Sequence, residues 1–320
     1  MYNKILVSVI IPTYRRYDML TKAVNSVLSQ TLKNLEILVI DDYSMDNTAQ
    51  IAKLSPKVKY ICNPSNRGPG YSRHRGLEQS KGDYIVFLDD DDYYTDPLFL
   101  SKAVNILEGI PDCIFVAANA MVSYEYKNIC AAEPLNISGQ MTAVEYLKGF
   151  PFDFKKPHST FTTVFRKETL LSSGVADMRM LNDMPLYMRS LTAEGSVFFM
   201  DDTIGVYRIH NANISKSMTW NFIQSNLEEK FHVKKIIEQK NLFSDIERWW
   251  IKQIEITMSY LVYGSYPSMQ EWKKARKWCL DHSISKQEID ALFIKYKNYL
   301  IDYKTCKLKS KIKKMFGIKQ

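Results

Sequence analysis

Residues 84–92 read Tyr-Ile-Val-Phe-Leu-Asp-Asp-Asp-Asp, an apolar run that passes without a break into four aspartates. A segment that is apolar throughout, rather than at alternate positions, belongs to a strand covered on both faces, as in a parallel sheet flanked by helices. Carboxylates packed this densely repel one another, so they stand in solvent, at a helix N-terminus or around a cation. At the carboxyl end of a buried strand, such hard oxygen ligands suit Mg²⁺ or Mn²⁺, which keep waters and bridge to phosphates.

Upstream, the same signature recurs. Residues 7–11 form a largely β-branched run ending at Pro12, residues 35–40 a second run ending at Asp41 and Asp42, and residues 58–62 a third. Between the first two runs, Met19, Leu20, Ala23, Val24, Val27 and Leu28 recur at helical spacing. Asp46 is placed to cap the segment after the second run, a helix is expected over 71–79, and Asp96-Pro97 is expected to open another, with proline at its first position. Strands alternating with helices predict right-handed crossovers and a doubly wound, mostly parallel α/β sheet. In such sheets ligands bind beyond the carboxyl ends of the strands. Three of the four strands end there in polar residues: Thr13-Tyr14, Asp41-Asp42 and Asp89 to Asp92.

Further along, strands are expected over 113–122, 160–165 and 197–200, with a helix over 184–191. Past residue 218 the strand signal stops, and helices are expected over 220–239, 244–263, 269–280 and 286–303. The expected organisation is an α/β domain over 1–215, with a nucleotide half over 1–110 and an acceptor half over 111–215, then a helical appendage over 216–303 and a basic amphipathic tail over 304–320.

The net charge of +8 is concentrated at the end of the chain: residues 303–320 hold seven lysines and no acid, which leaves the remainder near neutral. A body that reads nucleic acid carries its basic patch on the fold, so nucleic acid is not an expected partner. Five dispersed cysteines without a Cys-x-x-Cys pair fit a reducing compartment rather than a disulfide framework or a structural zinc site. The opening residues do not read as a signal peptide, and no apolar run approaches the ~18 residues of a membrane span. A cytoplasmic protein is expected.

Six segments, in order, resemble the family 2 glycosyltransferases, which have the GT-A fold: VSVIIPTYRR (7–16), LEILVIDDYSMDNT (35–48), NRGPGYSRHRG (66–76), GDYIVFLDDDDYY (82–94), NDMPLYMR (182–189) and YRIHNANIS (207–215). The resemblance covers about the first two thirds of the chain. It implies that Pro12, Thr13 and Tyr14 lie against the nucleotide base, that Asp42 accepts a hydrogen bond from it, and that Asn66, Gly68 and Arg73 belong to the nucleotide loop. Asp89, Asp90 and Asp91 are similar to the family's Asp-x-Asp. Asp91 then ligates Mn²⁺ or Mg²⁺, and Asp89 or Asp90 reaches the ribose or a metal-bound water. His210 matches a position that contacts the metal or the diphosphate, and Asp183 matches the general base. The sequence departs from the pattern at Asn182, where glutamate is usual, at His74, where asparagine is more common, and in the aspartate at the variable position of Asp-x-Asp.

The resemblance implies an inverting transfer from a nucleoside-diphosphate sugar, UDP-linked by preference, to a saccharide or polyprenyl-diphosphate-linked acceptor in cell-surface polysaccharide synthesis. A non-catalytic sugar-binding or scaffold protein of the same fold is the alternative. A sugar-nucleotide pyrophosphorylase would need a Gly-rich loop where Pro-Thr-Tyr-Arg-Arg stands, and a dinucleotide-binding dehydrogenase would need Gly-x-Gly-x-x-Gly after a strand. In the tail, Leu308, Ile312, Met315 and Phe316 recur at helical spacing among lysines, the pattern of a helix that lies on an anionic membrane surface. Peripheral association with the inner face of the cell membrane is therefore expected. The helical appendage is a candidate homo-oligomer contact.

Overall fold

The computed structural model describes residues 5–150, 152–210, 219–265 and 267–315, apart from the side chains of 264–265 and 302–315. The chain divides into two compact units, Met1–Asn211 and Ala212–Gln320.

The first unit begins with β1 (Val7–Thr13), α1 (Tyr17–Leu28), β2 (Leu35–Asp41), a 3-10 helix over Asn47–Leu54, β3 (Val58–Cys62), α2 (Pro69–Gln79) and β4 (Tyr84–Phe87). Every residue of β1, β2 and β4 is buried, as their largely apolar runs require. The α1 helix turns Leu20, Ala23, Val24 and Val27 inward at helical spacing. The α2 helix approaches β1 closely: a Cβ on Gly76 would stand 2.3 Å from Cγ2 of Ile10.

These four strands run parallel in the order β3-β2-β1-β4. The chain builds outward from β1 to β3 and then crosses back to place β4 on the other side of β1. That reversal opens a crevice at the carboxyl ends, where ligands bind in doubly wound sheets. Pairing of β1 with β4 stops at Ile10↔Phe87, so Pro12, which has no N–H to donate, lies beyond the last β4 partner.

The rest of the unit holds β5 (Tyr93–Tyr94), α3 (Phe99–Gly109), β6 (Cys113–Tyr124), β7 (Ile129–Ala132), β8 (Gly139–Thr142), α4 (Ala143–Gly149), β9 (Thr163–Arg166), α5 (Lys167–Ser172), α6 (Asp183–Ser190) and β10 (Ser196–Ile209). The sheet continues β4-β9-β6-β10-β5, with β9 antiparallel to both neighbours and β6 parallel to β10. The doubly wound parallel core is as expected, and the antiparallel strands extend it.

Some local readings shift. Asp96 Oδ1 accepts the Leu98 N–H at 2.8 Å, so Asp96-Pro97 forms a turn and α3 starts at Phe99. Residues 160–162 form a 3-10 turn that precedes β9. Asp46 caps the 3-10 helix through the Thr48 N–H at 2.9 Å, as its position suggested.

The second unit is helical: α7 (Trp220–Lys240), α8 (Ile246–Tyr260) with a π-helical end over Leu261–Ser265, α9 (Met269–Asp281) and α10 (Lys286–Met315). Phe231, Trp250, Trp278 and His282 meet in one aromatic cluster. Ser268 and Glu271 form a capping box at the start of α9. The side chains of the expected amphipathic tail, and the boundary expected near 215, lie outside the described residues.

Candidate active site

The ends of β1, β2 and β4 are joined by side chains rather than left open. Thr13 Oγ1 donates to Asp90 Oδ2 at 2.7 Å, across from β1 to the acid run. Arg16, just past β1, places Nη1 3.1 Å from Asp90 Oδ1 and 3.0 Å from Asp91 Oδ2. The two acids that end β2 act differently. Asp41 accepts the Ser44 N–H and hydroxyl and, at 2.6 Å, the Tyr60 hydroxyl, which fixes the turn after β2. Asp42 Oδ1 accepts from Asn63 Nδ2 and the Arg67 N–H, both at 2.9 Å, and Oδ2 accepts from the Gly68 N–H at 2.7 Å. Gly68 takes φ +86°, a conformation that favours glycine, and this turns its N–H toward the carboxylate.

The loops at this end carry positive φ at three non-glycine residues, Arg15, Tyr43 and Met45. Each costs on the order of 1 kcal/mol or more, and such strain clusters at functional sites. The Arg15 N–H bonds Ser44 Oγ at 2.8 Å and its Nε bonds the Ser44 carbonyl at 3.1 Å, so the loops after β1 and β2 brace each other. Tyr14, Tyr43 and Asn66 stay exposed at the rim.

The four aspartates after β4 diverge. Asp90 turns to Thr13 and Arg16. Asp92, fully buried, accepts the Arg208 N–H at 3.0 Å with Oδ1, while its Oδ2 is buried without a hydrogen-bond partner among the described residues. Among the described residues, one ligand oxygen each from Asp89, Asp91 and Asp92 gathers within 4.8 Å of the others. Burial, reinforced by the neighbouring acids, pushes Asp90 up to about 7 and raises Asp92 well above the usual carboxylate range. For Asp89, burial outweighs the opposing pull of Arg73 and raises it to about 6. Carboxylates buried beside one another resist ionisation for want of compensating positive charge. The three clustered oxygens and the orphaned Asp92 Oδ2 therefore fit a divalent cation of the Mg²⁺ or Mn²⁺ type. His210 stands one contact further out, its Nε2 2.9 Å from Asp91 Oδ2.

Arg73 links the acid run to the next catalytic candidate. It projects from α2 with 5% of its surface exposed. Nη2 pairs with Asp89 Oδ1 at 2.5 Å, Nη1 donates to the Leu181 carbonyl at 3.1 Å, and Nη1 lies 3.3 Å from Asp183 Oδ1. Burial opposes its charge, but Asp89 and Asp183 more than offset that, and the guanidinium stays protonated. Close packing allows the link: a Cβ on Gly70 would stand 2.9 Å from Asn182 Oδ1, and Leu181 N–H bonds the Gly70 carbonyl at 3.1 Å. Asn182 caps α6 by position without a side-chain bond, so Asp183 opens the helix, with Lys156 Nζ 3.8 Å from its other oxygen.

Thr13, Arg73, Asp89, Asp90, Asp91, His210 and Asp183 thus form one connected cluster. Asp42 and Gly68 are joined in the neighbouring loop, where the carboxylate is engaged by three donors. Pro12 is buried in β1. Arg73, expected in the nucleotide loop, is clasped between Asp89, Asp183 and the Leu181 carbonyl. Sequence reasoning did not assign Arg16, Asn63, Asp92 or Lys156. Asn63, which also accepts from Arg75 Nη1 at 2.7 Å and donates to Ser72 Oγ at 2.9 Å, ends β3 as the acids end β2, and that position was the available signal.

Comparison with known proteins gives the family and the fold. The family model described as glycosyl transferase family 2 matches residues 8–172. A curated relative from Campylobacter jejuni, GalNAc(5)-diNAcBac-PP-undecaprenol β-1,3-glucosyltransferase, is 29% identical over 212 residues, 63% of this chain and 64% of the relative. A UDP-Glc:α-D-GlcNAc-diphosphoundecaprenol β-1,3-glucosyltransferase from Escherichia coli is 43% identical over 91 residues, 28% of this chain and 36% of the relative. The chain thus spans less than two thirds of these relatives' lengths. Among solved structures, S. aureus TarS 1–349 in complex with UDP-GlcNAc superposes with a TM-score of 0.61 at 16% identity, covering 94% of this chain and 92% of that one, which shows a shared fold. On the family match, which covers more than half of its length, this chain belongs to glycosyl transferase family 2.

Proposed function

We propose that the protein transfers a sugar, with inversion, from a nucleoside-diphosphate sugar, UDP-linked by preference, to a hydroxyl of a lipid-diphosphate-linked saccharide in the assembly of bacterial surface polysaccharide. The observation that carries this reading is the Arg73 clasp, which holds the acid run after β4 and the carboxylate of Asp183 in one connected site. The two relatives named above, whose names give saccharides joined to undecaprenol through a diphosphate as acceptors, support the acceptor class.

In this reading the loops after β1, β2 and β3 receive the nucleotide, with Pro12, Thr13 and Tyr14 beside the base and the Asp42–Gly68 turn below it. Asp89, Asp91 and Asp92 would hold a divalent cation, which when bound neutralises charge on a leaving diphosphate. Asp183 Oδ2 takes the proton of the acceptor hydroxyl. The oxygen of the acceptor hydroxyl, not that of Asp183, then forms a bond to the anomeric carbon from the face opposite the nucleoside diphosphate, which leaves with the electron pair of the broken C–O bond. Among the described residues no helix is long and apolar enough to cross a membrane, and the lysine-rich end supports association with an anionic membrane surface.

The test is a calorimetric screen of UDP-, GDP- and dTDP-sugars with Mn²⁺, with Mg²⁺ and with EDTA. Metal-dependent binding of one nucleotide class is expected. Absence of binding to all of them would overturn the donor reading.

A further inference from the structure

Lys156 is placed with unusual care for a surface-loop lysine. Its neighbour Lys155 is pinned on both sides of the backbone, its N–H to Asn136 Oδ1 at 2.8 Å and its carbonyl to the Tyr146 hydroxyl at 2.9 Å. Two residues on, His158 Nε2 bonds the Glu133 carbonyl at 2.6 Å and its ring stacks on Tyr207. Pro157 biases Lys156 itself toward extended backbone. The side chain that this frame aims inward is 22% exposed. Among the described residues its ammonium makes one hydrogen bond, to the His158 carbonyl at 3.4 Å, and lies 5.6 Å from the ring centre of Tyr187. Its distance to Asp183 Oδ2, 3.8 Å, is an ion-pair distance and too long for a hydrogen bond. An ammonium carries three donors, and burial here already disfavours its charge.

The two cations on Asp183 divide the carboxylate. Arg73 holds Oδ1 and reaches back to Asp89, on the donor side. Lys156 faces Oδ2, the oxygen left to accept a proton. A group that brings a hydroxyl and an anionic oxygen together meets both, the hydroxyl at Oδ2 and the anion at the ammonium, with a charge-assisted bond that a neutral oxygen does not give. A sugar phosphorylated at its anomeric carbon does so, because its ring hydroxyls and its phosphate lie within one ring of each other.

We propose that Lys156 is the anion site on the acceptor side: it receives the phosphate that the acceptor sugar carries and so sets the reacting hydroxyl against Asp183 Oδ2. The assignment deepens the proposed function and rests on Asp183 being the base. Such a site makes the enzyme read the acceptor's diphosphate rather than its sugar alone, and favours acceptors whose reacting sugar is the one attached to the lipid diphosphate.

The test is calorimetry on the full chain with three probes: a short polyprenyl diphosphate bearing one α-linked N-acetylglucosamine, the same sugar on the same lipid through a plain glycosidic bond, and UDP. Salt is held at about 0.3 M to screen the lysine-rich end. Lys156→Met is expected to weaken the diphosphate probe about 10- to 100-fold, the effect of losing a charge-assisted hydrogen bond. The phosphate-free probe and UDP should bind as they do to the wild type, and Lys156→Arg should retain most of the affinity. Equal losses on both lipid probes, a loss on UDP, or no loss at all would each overturn the proposal. If the wild type ignored UDP while the diphosphate probe alone still followed Lys156, the donor reading would fail and the assignment of Lys156 would stand.

Discussion

Asp183 sits at the start of α6, where the free N–H groups of a helix favour negative charge, and it is flanked by a guanidinium and an ammonium. Asp183→Asn keeps the shape and loses the proton acceptor, so transfer should fall about 10²- to 10⁴-fold while UDP affinity stays near that of the wild type. Arg73 is a different kind of residue. Its planar fork spans Asp89, Asp183 and the Leu181 carbonyl at once, which a lysine cannot copy. Arg73→Met should cost about 3–5 kcal/mol of stability by leaving carboxylates without their counter-charge. Urea denaturation would measure it, with Arg73→Lys recovering part of the loss. The sequence disclosed these two residues through motif order, not through any local pattern of charge. It did not disclose Arg16, Asp92 or Lys156. Arg16 is one of two adjacent arginines, Asp92 the last of four identical acids, and Lys156 one of two adjacent lysines, and only the fold decides which member of each set turns inward.

At the level of elements, the amino ends of the strands are fastened by a buried carboxylate. Glu36 Oε1 accepts from the Ser8 hydroxyl and the Lys81 N–H, both at 2.7 Å, and Oε2 pairs with Lys59 Nζ at 2.6 Å, so β1, β2, β3 and the turn before β4 share one group. Burial pushes the Glu36 carboxyl up, but these hydrogen bonds together outweigh it and hold it below its ordinary value. A carboxyl with a lowered folded pKa stabilises the fold above its unfolded pKa and loses that contribution as pH falls through the folded one. The advantage of the wild type over Glu36→Gln in urea midpoint should therefore be full near pH 7 and shrink below about pH 4. On the facing side, Gly76→Ala should destabilise the first unit by about 1–3 kcal/mol through overpacking against Ile10, measured in the same way. The long apolar strands were legible because burial on both faces leaves an unmistakable run. The short strands β5, β7 and β8 were not: each has four residues or fewer, and β7 and β8 are largely exposed, so hydrogen bonding to β6 and β10 makes them strands rather than their own composition.

For the molecule as a whole, charge is distributed unevenly, with seven lysines in the last eighteen residues. Each lysine near an anionic bilayer contributes about 1 kcal/mol, screened within a Debye length. Full-length protein should sediment with anionic liposomes at low salt and release at high salt, and a chain ending at Tyr303 should sediment markedly less. The helical unit was legible as helices, and its inner boundaries were close because Pro267 and Ser283 interrupt the pattern where α8 gives way to α9 and α9 to α10, whereas α10 continues beyond the expected end at 303 to Met315.

The sheet itself has an uneven seam. The four parallel strands join the mixed strands through β4 and β9, which share only the pairs Tyr84↔Arg166 and Ile85↔Phe165. The far half of β4 has no β9 partner, and from that free end the aspartates rise. The loop that frames Lys156 belongs wholly to the other side of the seam. A lineage could therefore exchange the segment from Glu133 to Thr160 for one that greets a different acceptor while inheriting its donor machinery unaltered, and a chimaera cut at those residues is the laboratory version of that exchange.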